Sequence, residues 1–283
     1  MQCNLLNLDW EKMSKTLLLL DGANLMQRAR FSSRRNLKGK ENAIIYSFFR
    51  SLRPLVEKFN PSKIVLALEG RPVRRLELHK EYKANRVYDA SDDYGDQRLV
   101  ILELLQHLPV TTVRHPSHEA DDVIGHYALD GDWDRRVVVS SDSDFIQLLN
   151  CDSRVELYNP ISKKYREAPC DDYVGWKALV GDTCDNIEGF RGVGNVTALK
   201  LLESQKELTG FLEKHEGYAK YQHNRELVKF EQIDPGQVEI KLGETNWDTL
   251  VERFRDLGFW SMVNETAWPK YVKTFIGVDN VRS

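Results

Sequence analysis

Carboxylates recur in this chain directly after short apolar runs. Asp21 follows Thr16–Leu20, Glu69 follows Lys63–Leu68, and Asp142 and Asp144 follow Arg136–Ser140. Two further sets stand apart: Glu119-Ala120-Asp121-Asp122, and Asp182 with Asp185 inside Gly181-Asp182-Thr183-Cys184-Asp185. An i, i+3 spacing on a helix lets Glu119 and Asp122 point the same way, and Asp182 and Asp185 repeat it. Taken singly, each acid has a plain structural role as a turn residue, an N-cap or a complement to a helix dipole. Five groups converging on one pocket would repel one another unless cations sat among them. Hard oxygen donors with no cysteine or histidine favour Mg²⁺ or Mn²⁺ over zinc. Two such ions about 4 Å apart can activate a water and stabilise both oxygens of an in-line phosphodiester displacement.

A phosphate-bearing substrate also needs cations to bring it in. From Arg71 to Arg86 there are six basic residues (Arg71, Arg74, Arg75, Lys80, Lys83, Arg86) against Glu77 and Glu81. Long cationic side chains hold phosphates without reading base sequence. Tyr82, between Glu81 and Lys83, offers a ring on which a base could stack while Lys83 and Arg86 meet the backbone. A solvated charged helix is the plainer alternative for that segment. Arg28, one helical turn beyond Asp21-Gly22-Ala23-Asn24, is either a phosphate contact or a surface cation. Gly192 and Gly194 allow close backbone approach, and Asn195 and Thr197 open a helix whose N–H groups attract phosphate.

The elements that must position these groups alternate. Apolar runs at Thr16–Leu20, Lys63–Leu68, Val110–Val113 and Arg136–Ser140 suit strands buried on both faces. Between them lie helical patterns at Asn42–Phe59, Gly95–His107, Ala120–Leu129 and Phe145–Leu149. That order implies an α/β fold with a mostly parallel central sheet flanked by helices. Ligands in such folds bind at the carboxyl ends of the strands, where the acids stand. Val155–Tyr158 and Lys164–Arg166, around Asn159-Pro160, can add a hairpin. After about Asp171 helices and glycine turns take over: Tyr173–Val180, the turn Gly181–Gly194, then Asn195–Glu203.

Composition narrows the class. The 283 residues are 41% hydrophobic and 10% aromatic, with a mean hydropathy of −0.49. No apolar run approaches the roughly 20 residues of a membrane span, and no signal peptide is evident at the start. The formal charge of −3 argues against a nucleic-acid partner only as an average, because the basic stretch is segregated from the acids. Cys3, Cys151, Cys170 and Cys184 show neither CxxC spacing nor a disulfide framework, which suits a reducing cytoplasm. His115 and His118, in an HPSH stretch, suit a turn better than a ligand set. Neither a Ser-His-Asp set nor a GxxxxGK[ST] loop is present.

DGxN at Asp21, EYKxNR at Glu81, EADD at Glu119, SSDSDFxQL at Ser140 and GDxxDNIxGxxGVGxxTA at Gly181 occur in the order found in 5′-nucleases. The chain resembles the bacteriophage 5′-nuclease and flap endonuclease family, and Ser140–Arg166 is especially similar to the RNase H of T-even phages. The resemblance covers about Thr16 to Glu203. It implies a PIN-like nuclease core, a helical arch over 71–96 and a helix-three-turn-helix that binds duplex DNA. Corresponding domains are an extension at 1–15, a core at 16–170, a helix-hairpin-helix subdomain at 171–230, and a segment at 231–283 packed on the core. Implied metal ligands are Asp21, Glu69, Glu119, Asp121, Asp122, Asp142, Asp144, Asp182 and Asp185, holding two Mg²⁺ or substituting Mn²⁺ ions. A K⁺ ion at the hairpin would fall near Val193. Lys83 matches the family's arch lysine and Arg86 its neighbour; with Asp142 they form the expected catalytic set. Glu69 stands where the family usually has Asp, and Phe190-Arg191 where a Pro is common.

The resemblance implies a 5′-nuclease acting on 5′ flaps, gapped duplexes and RNA–DNA primers during replication. It would be a monomer, cytoplasmic (host cytoplasm if phage-encoded), working beside proteins such as single-strand binding protein or a clamp. A PIN-type ribonuclease and a noncatalytic DNA-structure binder are the alternatives. The first would lack the glycine hairpin, and the second would lack several of the acids.

Overall fold

The computed structural model describes residues 14–37, 41–86 and 93–279. Most of the expected extension at 1–15, residues 87–92 of the expected arch, and 280–283 lie outside the described residues.

Strand β1 (Thr16–Asp21) is buried at every residue because both faces of the sheet are covered. It pairs in parallel with β2 (Lys63–Leu68) on one side and β4 (Arg135–Val139) on the other, with Leu20 opposite both Leu66 and Val139. Strands β3 (Thr111–Arg114) and β5 (Val155–Asn159) extend the parallel set. The order is β6-β5-β4-β1-β2-β3-β9, in which β6 (Lys164–Tyr165) and β9 (Glu239–Lys241) are antiparallel edges; β7 (Gly181–Asp182) and β8 (Ile187–Glu188) pair with each other apart from this sheet. The expected mostly parallel sheet is therefore present, and the hairpin around Asn159-Pro160 forms its rim. Strand β9 was not expected: its three residues are exposed and show no apolar run.

Side-chain alternation divides the core. Leu18 and Leu20 join α1 (Gly22–Asn36), α2 (Ala43–Phe59) and α4 (Tyr94–Leu105) on one face. Leu17 and Leu19 join α5 (Ala120–Leu129) and a 3-10 helix at Asp144–Leu148 on the other. Helix α1 completes the first face although its own pattern (RARFSSRRN) is too polar to announce a helix. The basic stretch after β2 forms one short helix, α3 (Val73–Leu78), followed by turns.

Helices α6 (Tyr173–Val180), α7 (Asn195–Leu202), α8 (Gln205–Lys214) and α9 (Tyr218–Val228) gather around a small core of their own, including Leu179, Val193, Ala198, Leu212 and Tyr221. Helices α10 (Trp247–Asp256), α11 (Trp260–Val263) and α12 (Ala267–Thr274) return to the large core, where Phe254 meets the rings of Phe49, Phe259, Trp268 and Tyr271. Phe254 is fully buried. Phe254→Ala is expected to lower the unfolding free energy by about 3–5 kcal/mol. Urea titration followed by tryptophan fluorescence measures it; a loss below about 1 kcal/mol would mean these helices do not support the core.

Candidate metal centre and nucleic-acid interface

The strand order reverses between β1 and β4, the place where doubly wound sheets open a crevice. Asp21 ends β1 and caps α1, its Oδ1 accepting from the Asn24 amide at 3.0 Å. Its Oδ2 accepts from Ser140 Oγ at 2.7 Å, just past β4. The same hydroxyl accepts from the Asp142 amide at 3.0 Å, and Asp142 Oδ1 accepts from the Asp144 amide at 2.9 Å. Asn24 clasps Ser141 from both ends of its amide, donating to Oγ at 2.7 Å and accepting from the backbone N at 3.2 Å. DGxN and SSDSD are thus two halves of one latch across the crevice. Glu69 arrives from β2, and its Oε2 accepts from the Ala120 amide at 3.2 Å.

These carboxylates are close enough to disturb one another. Burial, reinforced by Asp142, raises Asp21 to about 6. Burial and then Glu119 raise Glu69 to about 7. Asp121 is pushed well above the carboxylate range by burial and by Asp21, Asp142 and Glu69. Asp142 is raised as well, mainly by burial.

Beside this group, ligand oxygens of Asp144, Asp182 and Asp185 lie within 4.8 Å of one another. Lys177, from α6, bridges Asp144 and Asp182, with its Nζ 2.6 Å from Asp182. Burial works to raise the Asp182 carboxyl, but the Lys177 ammonium prevails and lowers it. Lys83 Nζ contacts Glu119 Oε1 and lies 3.7 Å from Asp185, while Arg86 Nη2 donates to Asp185 Oδ1 at 2.7 Å. Burial opposes the Lys83 charge, yet Glu119, Asp185 and Asp121 raise its pKa. The carboxylates outnumber the cations among them, and the donors are hard oxygens. The residues fit divalent cations.

The stretch Glu81–Arg86 lies against the loop that carries Asp182 and Asp185. Lys83, at φ 56°, donates its amide to Asp185 O at 3.1 Å. Asn85 Nδ2 donates to Thr183 O at 2.6 Å, and Asn186 Nδ2 to Glu81 O at 2.9 Å.

Three expected site residues are placed otherwise. Asp122 is fully buried, and its two oxygens accept from Arg75 Nη1 and Nη2 at 2.7 Å each. Glu119 is the N-cap of α5 in extended conformation, so Asp122 folds back to its amide and Asp121 is the acid that faces the crevice. Arg75, expected at a phosphate, is 2% exposed. Tyr82, expected to stack on a base, is 5% exposed, with its hydroxyl 2.9 Å from Glu119 Oε2 and 3.1 Å from Asp185 Oδ2.

The remaining residues stay near the surface. Arg74 pairs with Glu226, Lys80 is exposed, and Arg28 is half-buried on α1. Gly192 (φ 79°), Gly194, Asn195 and Thr197 form an exposed edge at the start of α7. His115 and His118 contact each other, Nδ1 to Nδ1 at 2.9 Å, within a turn that includes Ser117. Lys177 and Ser140 were missed as site residues. A lysine four residues ahead of Gly181-Asp182, and the serine opening SSDSD, were the available signals.

Residues 16–175 match the model of the 5′-3′ exonuclease N-terminal, resolvase-like domain. The chain belongs to this 5′-3′ exonuclease family. It is 33% identical over 224 residues to DNA polymerase I of Streptococcus pneumoniae, covering 72% of this chain and 25% of that protein. It is 27% identical over 309 residues to the thermostable DNA polymerase I of Thermus filiformis, covering 95% and 37%. The chain thus spans only about a quarter to a third of the length of these relatives. Its fold is similar to that of a bacteriophage T5 flap endonuclease solved as a pseudo-enzyme–product complex with DNA and metal ions (TM-score 0.59, 18% identity, 93% of this chain and 98% of that one). It is also similar to flap endonuclease-1 of Methanococcus jannaschii (TM-score 0.65, 16% identity, 94% and 93%). The family match stops short of Lys177, Asp182, Asp185 and the glycine hairpin.

Because the folded protein raises Asp21 and Glu69, it binds their protons more tightly than the unfolded chain does. Metal-free stability is therefore expected to fall as pH rises from about 4 to about 7. In EDTA the Tm should drop by several degrees across that range, and Mg²⁺ or Mn²⁺ should restore more at the upper end. A metal-free Tm that is flat or rising would contradict the crowding.

Proposed function

We propose that this family member is a Mg²⁺-dependent, structure-specific 5′-nuclease that hydrolyses phosphodiesters in DNA carrying 5′ flaps, gaps or RNA primers, leaving 5′-phosphates. The observation that carries it is the pair of adjoining acid groups with Lys83 and Arg86 laid across them. Asp21, Glu69, Glu119, Asp121 and Asp142 would hold one ion, and Asp144, Asp182 and Asp185 the other, with Mn²⁺ able to substitute. Bound there, divalent ions supply an activated water and charge stabilisation at the reacting phosphate.

The chain's own residues do the positioning. Lys83 and Arg86 stand on carboxylates at the crevice, and each can exchange that carboxylate for a substrate phosphate oxygen. Exposed Arg74 and Lys80, and Arg28 on α1, would attract the single strand; Gly192, Gly194, Asn195 and Thr197 would hold duplex backbone without reading sequence. A K⁺ ion bound by backbone oxygens near Val193 would stiffen that grip. Removal of flaps and primers in replication is the role that suits such a substrate.

The test is a 5′-flap substrate labelled at its 5′ end. Cleavage near the junction is expected with Mg²⁺ and none with EDTA. Asp142→Ala combined with Asp144→Ala should abolish cleavage while leaving flap binding in Ca²⁺. Lys83→Ala should lower kcat by about 10²–10³-fold. Cleavage persisting in EDTA or in the double variant would sink the proposal, and equal cleavage of unstructured RNA would favour a ribonuclease.

A further inference from the structure

Arg75 was expected to touch DNA, yet it has no donor left to do so. A guanidinium carries five N–H groups, and in this protein every one has a partner. Nε donates to Leu227 O at 3.0 Å. Nη1 donates to Glu119 Oε2 at 2.9 Å and to Asp122 Oδ2 at 2.7 Å. Nη2 donates to Asp122 Oδ1 at 2.7 Å and to Lys229 O at 3.0 Å.

These partners come from separate parts of the fold. Glu119 and Asp122 open α5, at the acid crevice. Leu227 and Lys229 end α9, whose Tyr221 packs in the small core with Val193 and Ala198 of the glycine hairpin. Arg75 itself lies in α3, at the base of the basic stretch. Tyr82 adds a second hold on the same oxygen, its hydroxyl reaching Glu119 Oε2 while its ring packs against Leu227 and Val228. Oε2 is thereby pinned by two donors, and Oε1 is left turned towards Lys83.

We infer that Arg75, seconded by Tyr82, is a positioning residue that sets the orientation of the Glu119 carboxylate and ties it to the end of α9, coupling the acid crevice to the hairpin-bearing bundle. The inference rests on Glu119 being a metal ligand, as in the proposed nuclease. Groups that orient a ligand typically matter by about 10–100-fold in metal affinity or activity. Lysine cannot replace this arginine, because an ammonium offers three donors from one point and no planar fork.

The experiment compares wild type, Arg75→Lys and Tyr82→Phe in three readouts: Mn²⁺ affinity by electron paramagnetic resonance without DNA, kcat and KM on a 5′ flap, and Tm. Arg75→Lys should weaken Mn²⁺ binding and lower kcat by about 10–100-fold, with KM within about twofold of wild type. Tyr82→Phe, which removes one hydroxyl, should shift both in the same direction by a smaller factor; it carries the test if Arg75→Lys does not fold. A raised KM with a shallower salt dependence of flap binding would make Arg75 a DNA contact and overturn the inference. So would a lowered Tm with Mn²⁺ affinity and kcat unchanged, which marks a merely structural ion pair. If wild type binds Mn²⁺ but cleaves no flap, the nuclease proposal fails while the Mn²⁺ comparison still decides the role of Arg75.

Discussion

Carboxylates that burial and mutual repulsion make hard to ionise are gathered at one sheet edge, and the surrounding structure supplies cations to them. Asp121 shares a crevice with Asp21, Asp142 and Glu69, and burial together with their charges raises its pKa. Like charges at such range cost several kcal/mol unless protons, ammonium groups or metal ions intervene. The sheet sets up the crowding: β1 and β4 are adjacent and parallel, so Asp21 leaves β1 beside Ser140, and Asp142 follows two residues later. Ser140 and Asn24 then fix the spacing by hydrogen bonds rather than leaving it to charge.

The protein's own cations enter from elements that are also candidates for handling substrate. Lys83 and Arg86 come from the stretch after α3, and Lys177 from the first helix of the hairpin-bearing bundle. Each therefore joins the acid crevice to another part of the fold. Glu119 is the meeting point, since Arg75, Tyr82 and Lys83 all reach it. Buried ion pairs of this kind add little net stability but strictly limit the arrangements available. In the proposed nuclease, where ammonium groups would give way to metal ions and phosphates, that restriction would serve the exchange.

Much of this was legible in the residues. Strands buried on both faces announce themselves as apolar runs, and acids at their carboxyl ends follow from the α/β pattern; Asp21, Glu69, Asp142 and Asp144 needed nothing more. Asp122, Arg75 and Tyr82 were misplaced because their partners are remote: the Glu231 amide, Leu227 O and Lys229 O lie more than a hundred residues away from Asp122 or Arg75. A helical i, i+3 rule also fails at Glu119, which caps α5 instead of belonging to it. Lys177 looks like any helix lysine until α6 is set against Asp144. Strand β9 and helix α1 form because a neighbouring sheet edge or core face is there to receive them, with little support from their own patterns.

The most direct measurement is the Tm of Asp121→Asn beside wild type, in EDTA and then in Mn²⁺. Removing one charge from the crowd should raise the metal-free Tm at neutral pH and erase most of the stabilisation that Mn²⁺ gives the wild type. A metal-free Tm that falls, together with an undiminished response to Mn²⁺, would show that Asp121 neither suffers repulsion nor shares an ion, contradicting the account at its centre.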